Sequence, residues 1–401
     1  MKAVVLAAGE GTRMRPLTAT RPKPLLPVGT GTLVEHVLDA CRDHVDGFVV
    51  VVGYRADDVE RHLGDEYRGK PVTYVEQQRQ RGTADAVEAA SDALDGRFLV
   101  LNGDVVIDPE LVDRLVGAGG NAMAVTAVDD PRSYGVVSVE DDAVVDLVEK
   151  PDDPPSRLAN VGAYAFEHDA LEFLGRTGRS PRGEREITET IRLMIDDRRR
   201  FAAVEYEGAW LDVGRPWELL DANAELLHGL ERRLDGEVAD SARVDGAVVV
   251  EEGAAVDHGV SIDGPAVVRE GATVGPNAYI RGSTVIGADA HVGHAVEVKN
   301  SVLMEDANVG HLSYVGDSVI GGDANLGAGT VVANLRHDDE TVVMTVKGER
   351  VDTGRRKLGV VLGDGVKTGI DTSLNAGVKL GAGATTGPGE TVTRDVEGEG
   401  P

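Results

Sequence analysis

The sequence predicts a two-part protein, with an α/β domain over residues 1–230 and a parallel β-helix over residues 235–401. Three observations predict this fold class. In the first half, short apolar runs alternate with amphipathic segments, which is typical of a mainly parallel α/β sheet. In the second half, aliphatic residues recur at every sixth position, which is typical of a hexapeptide β-helix. The chain also contains 51 glycines but only 4% aromatic residues, as a thin core with tight corners requires.

The first domain is predicted to alternate between strands and helices. Because ligands of such sheets bind at the carboxyl ends of the strands, we expect the functional site at that edge. The strands are predicted at 2–7, 47–53, 72–76, 97–102 and 121–128, and the helices at 32–44, 56–63, 83–93 and 109–117, with a last helix at about 216–234.

The second half carries the sixfold repeat. A helix has a period of 3.6 and a simple strand a period of 2, so neither explains twelve aliphatic positions in one register. The register slips after Met304, resumes, breaks over residues 334–357 and then returns; that break is too long and too charged for a coil and is predicted to loop out. The repeat positions are Val238, Val244, Val250, Val256, Ile262, Val268, Val274, Ile280, Ile286, Val292, Val298 and Met304, then Ile320, Leu326, Val332, Leu362, Leu374 and Leu380.

The charge of the chain restricts its partners and its environment. There are 69 acidic and 41 basic residues, of which only 9 are lysines, giving a net charge of −28. Such a surface repels nucleic acid and resembles that of proteins from a high-salt (halophilic) cytoplasm. Cys41 is the only cysteine, and the sequence shows neither a signal peptide nor an apolar run of about 18 residues. We therefore expect a cytoplasmic protein with no nucleic-acid or membrane partner.

The stretch LAAGEGTRMRPLTATRPKP, residues 6–24, follows the first predicted strand. Gly9 and Gly11 let backbone N–H groups approach a phosphate closely, and Arg13 and Lys23 add positive charge. This composition favours a triphosphate site but leaves a plain strand–turn open. The pattern is neither a P-loop nor a dinucleotide-binding fingerprint.

The same stretch is similar to the signature of the sugar-1-phosphate nucleotidylyltransferases, a family with a Rossmann-like domain. The resemblance continues through RGTADAV, LNGDVVI, SYGVV, VEKP, NVGAYAF and WLDVGRPWEL, in this order. It implies that Arg13 and Lys23 are catalytic and hold phosphates, and that Asp104 and Asp212 bind Mg²⁺. It further implies a nucleotide site of Leu6, Ala8, Gly9, Gly11, Gln77, Gly82 and Thr83, and a sugar-phosphate site of Gly135, Glu149, Lys150 and Asn160.

Residues 311–336, HLSYVGDSVIGGDANLGAGTVVANLR, resemble the acetyltransfer segment of bifunctional enzymes that make UDP-N-acetylglucosamine. The resemblance implies a left-handed β-helix, acetyl-CoA as co-substrate, a homotrimer and a site between subunits. His311 would accept a proton, since an imidazole titrates near neutral pH. The other implied residues are Tyr314 as a catalytic partner, Asn325 and Asn334 in the acetyl-transfer site, and Arg281 and Lys299 on the sugar phosphate.

One position departs from the bacterial pattern. Glu340 stands where the bacterial bifunctional enzymes have a lysine, so Arg336, Lys347 or the run 355–357 would have to replace that charge. The combined pattern is most similar to archaeal sugar-1-phosphate nucleotidylyltransferases that carry an acetyltransferase half. We predict Mg²⁺-dependent transfer from UTP or dTTP to a sugar-1-phosphate, and acetylation of glucosamine-1-phosphate or its galactose epimer. The alternative is a monofunctional glucose-1-phosphate thymidylyl- or uridylyltransferase with a structural β-helix.

Overall fold

A computed structural model describes residues 1–398; residues 399–401, the last of the predicted β-helix domain, lie outside this range. The chain forms two compact units. The first unit contains residues 1–10 and 33–212, and the second contains residues 11–32 together with the chain from residue 213 onward. The short segment 11–32 therefore belongs to the same unit as the β-helix, although it lies near the start of the sequence.

The predicted helices at 56–63 and 109–117 have those bounds, whereas those predicted at 32–44 and 83–93 end at Cys41 and Ala89. The helices over 170–176 and 187–196 were not predicted. The fourth helix (Pro109–Gly117) follows Asp108 and has Pro109 at its first position, where the missing N–H costs no hydrogen bond. The last helix is shorter than the predicted 216–234, because Arg233–Leu234 already forms a strand of the β-helix. The helices are α1 (Leu33–Cys41), α2 (Ala56–Leu63), α3 (Thr83–Ala89), α4 (Pro109–Gly117), α5 (Ala170–Arg176), α6 (Ile187–Asp196) and α7 (Glu218–His228).

None of these helices, within residues 1–398, is long and apolar enough to cross a membrane. The strands before the β-helix are β1 (Lys2–Leu6), β2 (Pro27–Val28), β3 (Gly31–Thr32), β4 (Gly47–Val52), β5 (Glu66–Tyr67), β6 (Lys70–Glu76), β7 (Phe98–Asn102), β8 (Val105–Ile107), β9 (Asn121–Ala127), β10 (Gly135–Glu140), β11 (Ala143–Glu149), β12 (Leu158–Phe166), β13 (Phe201–Glu205) and β14 (Trp210–Asp212).

A ten-stranded sheet organises the first unit, in the order β10-β11-β13-β9-β12-β7-β1-β4-β6-β5. The strands β7, β1, β4 and β6 run parallel, whereas β12 runs antiparallel to both β7 and β9. The five predicted strands are all present and start or end within two residues of their predicted positions. The additional strands make the sheet more mixed than the sequence indicated, and they carry the residues that surround the candidate site.

The β-helix consists of three parallel sheets of eight, seven and eight strands. Each strand pairs with the strand one coil later, and 18 residues separate paired positions such as Val250 and Val268. The aliphatic repeat residues form one buried core inside the coils. The coil strands run from β15 (Arg233–Leu234) through β16 (Glu237–Val238), β17 (Arg243–Asp245), β18 (Val248–Val250), β19 (Ala255–Val256), β20 (Ser261–Asp263), β21 (Ala266–Val268), β22 (Thr273–Val274), β23 (Tyr279–Arg281), β24 (Thr284–Ile286), β25 (His291–Val292), β26 (Glu297–Lys299), β27 (Val302–Leu303), β28 (Asn308–Val309), β29 (Tyr314–Gly316), β30 (Val319–Ile320), β31 (Asn325–Leu326) and β32 (Val331–Val332) to β35 (Val361–Leu362), β36 (Lys367–Thr368), β37 (Ser373–Leu374), β38 (Lys379–Leu380) and β39 (Thr391–Val392).

The prediction for Met304 was wrong. Leu303, not Met304, pairs with Ile286, so this coil is one residue shorter than its predecessors. The next coil is also short, because Leu303 pairs with Ile320 17 positions later. The register therefore slips before Met304 rather than after it.

The predicted break over 334–357 does leave the coil. Ile320 pairs with Leu362, a spacing of 42 residues that equals one 18-residue coil plus a 24-residue excursion. Part of the excursion is a β-hairpin, β33 (Val343–Val346) and β34 (Glu349–Asp352). This confirms the prediction that the charged segment loops out while the coils continue in register behind it.

Candidate active sites

The carboxyl end of β1 is the centre of the first unit's candidate site. Strand β1 lies between β4 and β7, so its end is flanked by two parallel neighbours. Gly53 and Gly103, which follow those neighbours, pack directly against the β1 end. An added Cβ at Gly53 would lie 2.9 Å from the Ala8 carbonyl oxygen, and one at Gly103 would lie 2.7 Å from that of Leu6. The tight packing fixes the backbone that begins the glycine-rich stretch.

A cavity of about 320 Å³ opens at this edge. Six of the seven predicted nucleotide-binding residues line it, and Gly11 does not. The sequence analysis missed Gln80, Asn102 and Glu184 on the same wall; Gln80 donates from Nε2 to the Ala8 carbonyl oxygen at 2.9 Å. The predicted residues on the wall are Leu6, Ala8, Gly9, Gln77, Gly82 and Thr83.

Gln77 differs from its expected arrangement. Its side chain is buried, and Nε2 donates to the Gly82 carbonyl oxygen and to Asp85 Oδ2, both at 3.1 Å. The amide donors are therefore used inside the protein, which leaves the side-chain oxygen as the part that suits a base. Gly82 has φ 123°, and an added Cβ would lie 2.3 Å from the Arg185 carbonyl oxygen, so only glycine fits here.

A second cavity, of about 200 Å³, shares Thr83, Asn102 and Glu184 with the first. All four residues predicted for the sugar phosphate in this domain, Gly135, Glu149, Lys150 and Asn160, line it. A larger residue would be crowded at position 135, because a Cβ added to Gly135 would lie 3.0 Å from Glu149 Oε2 and 3.4 Å from Asn160 Cβ. Asn160 in turn donates to Tyr164 Oη at 2.7 Å, which fixes its orientation.

The carboxylate of Glu149 is largely buried and is surrounded by charged side chains. Burial raises its pKa and the nearby carboxylate of Glu186 adds to this, while Lys150 and Arg182 act in the opposite direction. Arg182 Nη1 lies 3.3 Å from Glu149 Oε1 and donates to Glu186 Oε1 at 2.9 Å. One guanidinium thus bridges two acidic side chains on the cavity wall.

Two buried polar groups on this wall were missed by the sequence analysis. Glu186 is 6% exposed and Thr188 is 3% exposed, and both line the second cavity. Glu186 Oε2 and Thr188 Oγ1 have no hydrogen-bond partner within the described chain. Because a buried polar atom without a partner is costly, these two atoms suit a polar ligand in the cavity. Their run, SPRGEREIT, reads as a solvated charged loop, so composition could not single them out.

Asp104 and Asp212 lie on neighbouring segments of the first unit. Strands β8 and β14 pair antiparallel, and Asp212 is opposite Val105, the residue that follows Asp104. Asp104 lines the first cavity and Asp212 the second. No cluster of three or more His, Cys, Asp or Glu side chains that could hold a metal occurs within residues 1–398. Two carboxylates fit Mg²⁺, which is commonly held by one or two carboxylates plus phosphate oxygens.

The predicted phosphate-binding residues of segment 11–32 belong to the second unit. Gly11 has φ 63°, and an added Cβ would lie 2.9 Å from Lys23 Cβ. Lys23 is 7% exposed. Arg13 lies beside Gly214 of the WLDVGRPWEL motif, where an added Cβ would be 3.1 Å from Arg13 Nη2. Two motifs 200 residues apart in the sequence are thus in contact.

In the β-helix, a buried carboxylate contacts two of the residues predicted for acetyl transfer, and a third contacts one of these two. Asp317 is 3% exposed and accepts from Lys299 Nζ at 2.7 Å and from Asn334 Nδ2 at 2.5 Å. Asn334 also donates to Tyr314 Oη at 3.1 Å. Asp317 was missed, because a single aspartate at a coil corner is a common turn residue. Burial, together with the carboxylates of Asp317 and Glu297, raises the pKa of Tyr314, so its hydroxyl stays protonated.

Of the remaining residues predicted for acetyl transfer, Arg281 lies on the same sheet as this group, whereas Asn325 and His311 do not. Arg281 pairs with Lys299 on adjacent strands of the same sheet and forms an ion pair with Glu297 at 2.7 Å. Asn325 lies on the seven-stranded sheet, where it accepts from Asn308 at 2.9 Å. His311 is exposed at the corner between β28 and β29. One chain therefore brings Arg281, Lys299, Tyr314 and Asn334 onto one face, with His311 and Asn325 off it.

The structure gives carboxylate partners to three of the five basic residues suggested as replacements near Glu340. Arg336 pairs with Asp338, and Arg355 pairs with Asp221. Glu340 itself is exposed in the excursion, and its N–H donates to Asp338 Oδ1 at 3.3 Å. Arg336 thus pairs within the excursion and Arg355 pairs with α7, and neither pairs with the group around Asp317.

Comparisons with known proteins address both halves of the chain. Residues 2–229 match the nucleotidyl transferase family, and residues 262–378 match the GMPPB C-terminal domain. The first unit's fold is also that of a solved structure described as a glucose-1-phosphate thymidylyltransferase from Bacillus anthracis. That structure is 28% identical, has a TM-score of 0.51, and the match covers 56% of this chain and 94% of the other.

Curated relatives span nearly the full length. The bifunctional protein GlmU of Methanocaldococcus jannaschii is 40% identical over 399 residues, 99% of this chain and 96% of the relative. A bifunctional sugar-1-phosphate nucleotidylyltransferase/acetyltransferase of Sulfurisphaera tokodaii is 39% identical over 99% of this chain and 98% of the relative. These matches favour a bifunctional enzyme over a monofunctional one with a structural β-helix. The chain therefore belongs to the archaeal family of bifunctional sugar-1-phosphate nucleotidylyltransferase/acetyltransferases.

Proposed function

We propose that this enzyme transfers a uridylyl or thymidylyl group from UTP or dTTP to a sugar-1-phosphate and releases pyrophosphate. The observation that carries the proposal is the pair of adjoining cavities in the first unit. They share three wall residues, and Asp104 lies on one wall and Asp212 on the other. Two polar compartments with carboxylates in both suit two phosphate-bearing substrates that meet at a cation.

Nucleotidyl transfer requires positioning of the substrates and neutralisation of their charge, and it needs no covalent intermediate. An oxygen of the sugar phosphate attacks the α-phosphorus, and a P–O bond forms as the bond to pyrophosphate breaks. Arg13 and Lys23 are assigned to the triphosphate, which their charges neutralise. Mg²⁺ held by Asp104 and Asp212 would supply further positive charge to the phosphate oxygens.

The second cavity is assigned to the sugar. Glu149 accepts hydrogen bonds from sugar hydroxyls and Lys150 approaches the phosphate, while Gly135 leaves room for the ring. Glu186 and Thr188 add a carboxylate oxygen and a hydroxyl whose hydrogen bonds are unmade in the protein alone. This supports a substrate with several polar substituents, such as the 1-phosphate of glucosamine, N-acetylglucosamine, galactosamine or glucose.

We assign the β-helix to acetyl transfer from acetyl-CoA to the amino group of glucosamine-1-phosphate or its galactose epimer. The amine nitrogen attacks the thioester carbonyl carbon, so that a C–N bond forms, the C–S bond breaks and CoA leaves as the thiol. His311 takes the proton that the amine loses and passes it to the departing thiolate sulfur. Arg281 and Lys299 hold the phosphate, and Tyr314, Asn325 and Asn334 orient the reacting groups. A homotrimer would bring His311 and Asn325 of one subunit to the face of another.

The two reactions together yield UDP-N-acetylglucosamine or a close analogue. The test is a matrix of triphosphates against sugar phosphates scored by pyrophosphate release, with a parallel thiol assay for CoA. We expect UTP or dTTP with an N-acetylhexosamine- or hexose-1-phosphate to give the highest rate, and His311→Ala to abolish acetyl transfer alone. Absence of pyrophosphate release with every pair would contradict the first assignment, and unchanged acetyl transfer in His311→Ala would contradict the second.

A further inference from the structure

The segment 11–32, here called the signature loop, makes ion pairs and hydrogen bonds to the β-helix. The loop and the β-helix form one compact unit. Relatives of the first unit's fold exist without any β-helix, since the thymidylyltransferase structure matches only 56% of this chain while 94% of its own length is covered.

Arg21 makes the central contact. Its Nη1 donates to Glu305 Oε2 at 3.1 Å, and Nη2 lies 3.3 Å from Asp364 Oδ2 and also pairs with Glu305 Oε1. Thr20 Oγ1 donates to the same Asp364 oxygen at 2.6 Å. The Arg21 and Asp364 side chains are each 17% exposed, so this pair is largely shielded from water. The bidentate contact is the one with Glu305, whose side chain is 43% exposed, and the shielded contact is the one with Asp364. Together the two carboxylates fix the orientation of the guanidinium as well as its distance.

Further contacts hold the loop at its end. Asn223 of α7 is fully buried, accepts from the Gly29 N–H at 2.9 Å and donates to the Ser283 carbonyl oxygen at 2.8 Å. Arg269 Nη2 donates to the carbonyl oxygens of Gly29 at 3.0 Å and Gly31 at 3.2 Å. The loop is thus fixed to several successive coils, and a rigid β-helix is the frame for all of these contacts.

The link from Arg21 to Lys23 is short and stiff. Pro22 and Pro24 flank Lys23, and each proline ring fixes φ. Lys23 begins a 3₁₀ turn and its stem packs against Gly11. Because Pro22 has a fixed φ and the Lys23 stem packs against Gly11, we expect a shift of the Arg21 backbone to move the Lys23 backbone as well.

We propose that Arg21 is a positioning residue for nucleotidyl transfer, and that Glu305 and Asp364 of the β-helix set the geometry of Lys23 through it. The proposal rests on the proposed function, in which Lys23 holds the triphosphate. The β-helix then serves both reactions: it carries the acetyl-transfer residues and it holds the phosphate-binding loop. A misplacement of about 1 Å costs on the order of 100-fold in rate, which sets the scale of the expected effect.

The experiment uses the full-length enzyme and measures both activities in the same preparations. We expect the double variant Glu305→Gln/Asp364→Asn, and Arg21→Ala, to lower kcat for pyrophosphate release by about tenfold to 100-fold. Acetyl transfer should stay within about twofold, and Arg21→Lys should recover part of kcat because it keeps one charged contact. The matched control is Asp245→Asn, which breaks the exposed Arg243–Asp245 ion pair on the same β-helix and should change neither activity.

Three results would overturn the inference. One is an unchanged kcat for pyrophosphate release in both the double variant and Arg21→Ala. Another is a parallel fall of both activities, with a lowered unfolding midpoint, which would indicate a purely structural role. The third is an equal effect of Asp245→Asn. Lys23→Ala separates the two proposals. If this variant still releases pyrophosphate at the parental rate, the proposed role of Lys23 is wrong. If Lys23→Ala abolishes pyrophosphate release while the Arg21 variants leave it unchanged, only the positioning role of Arg21 is refuted.

Discussion

Replacing Asp317 by asparagine tests the acetyl-transfer group most severely. The carboxylate accepts from Lys299 at 2.7 Å, Asn300 at 2.8 Å and Asn334 at 2.5 Å. An amide has one acceptor oxygen, and its NH₂ group would face at least one of these donors. The variant therefore loses a charge-assisted hydrogen bond and leaves a second donor unpaired.

The magnitude follows from these contacts. A hydrogen bond to a charged group contributes about 1.5–3 kcal/mol, and breaking a buried ion pair costs about 3–5 kcal/mol. Lys299 is 17% exposed, so water recovers part of the loss and we expect a destabilisation of about 2–3 kcal/mol. Loss of fixed positions for Lys299 and Asn334 should lower kcat/KM for acetyl transfer by about tenfold to 100-fold, at 1.4 kcal/mol per factor of ten.

The assay is CoA thiol release with varied amino-sugar phosphate, together with thermal unfolding. Asp306→Asn is the matched control, because Asp306 and Asp317 both occupy left-handed corners, with φ 57° and 51°. Asp306 is exposed, and partial burial of its carboxylate together with the nearby Asp323 raises its pKa, so its neutralisation should be harmless. A kcat/KM within twofold of the parent, combined with an unchanged unfolding midpoint in Asp317→Asn, would refute the reasoning.

Three further predictions concern the first unit. Gly82→Ala should raise the KM for the triphosphate and lower the unfolding midpoint, since its Cβ would clash with the Arg185 carbonyl oxygen at 2.3 Å; wild-type values would contradict this. Thr188→Val should raise the KM for the sugar phosphate by about tenfold or more without lowering the unfolding midpoint, because no internal hydrogen bond is lost; an unchanged KM would remove it from the site. Burial and the carboxylate of Glu186 raise the pKa of Glu149, so the folded state disfavours the charged form of this side chain. Glu149→Gln should therefore stabilise the protein at pH values above the raised pKa. It should have no such effect below the pKa that Glu149 has in the unfolded chain. Unfolding midpoints from pH 4 to 8 would show a gain that grows with pH, and a gain confined to low pH would contradict it.

The sequence predicted those parts of the fold that periodic patterns encode. The sixfold aliphatic repeat indicated the coils and the 24-residue excursion, because each coil buries the same face of the chain. It could not place the shortened coil, since Leu303 and Met304 are both apolar and either could point inward. The mixed part of the sheet was also missed, because strands such as β10 and β11 lack the long apolar runs of β1 and β4.

The residues of the candidate sites likewise fall into those that the sequence predicted and those that it missed. Residues within contiguous motifs, such as Gly135 and Glu149, lie on the predicted walls. Thr188, Asp317 and Arg21 were missed, because their environments arise only when distant segments pack. Arg21 stands within the signature stretch, yet its carboxylate partner Asp364 is 343 residues away in the sequence.

The central claim is that Asp104, in the turn before β8, and Asp212, on the paired strand β14, together support nucleotidyl transfer. The direct measurement is Mg²⁺-dependent pyrophosphate release by Asp104→Asn and by Asp212→Asn, with the exposed Asp95→Asn as matched control. The account predicts that each site variant loses at least about 100-fold in kcat at saturating Mg²⁺, with acetyl transfer intact and Asp95→Asn unaffected. Retention of parental pyrophosphate release by either Asp104→Asn or Asp212→Asn would contradict it.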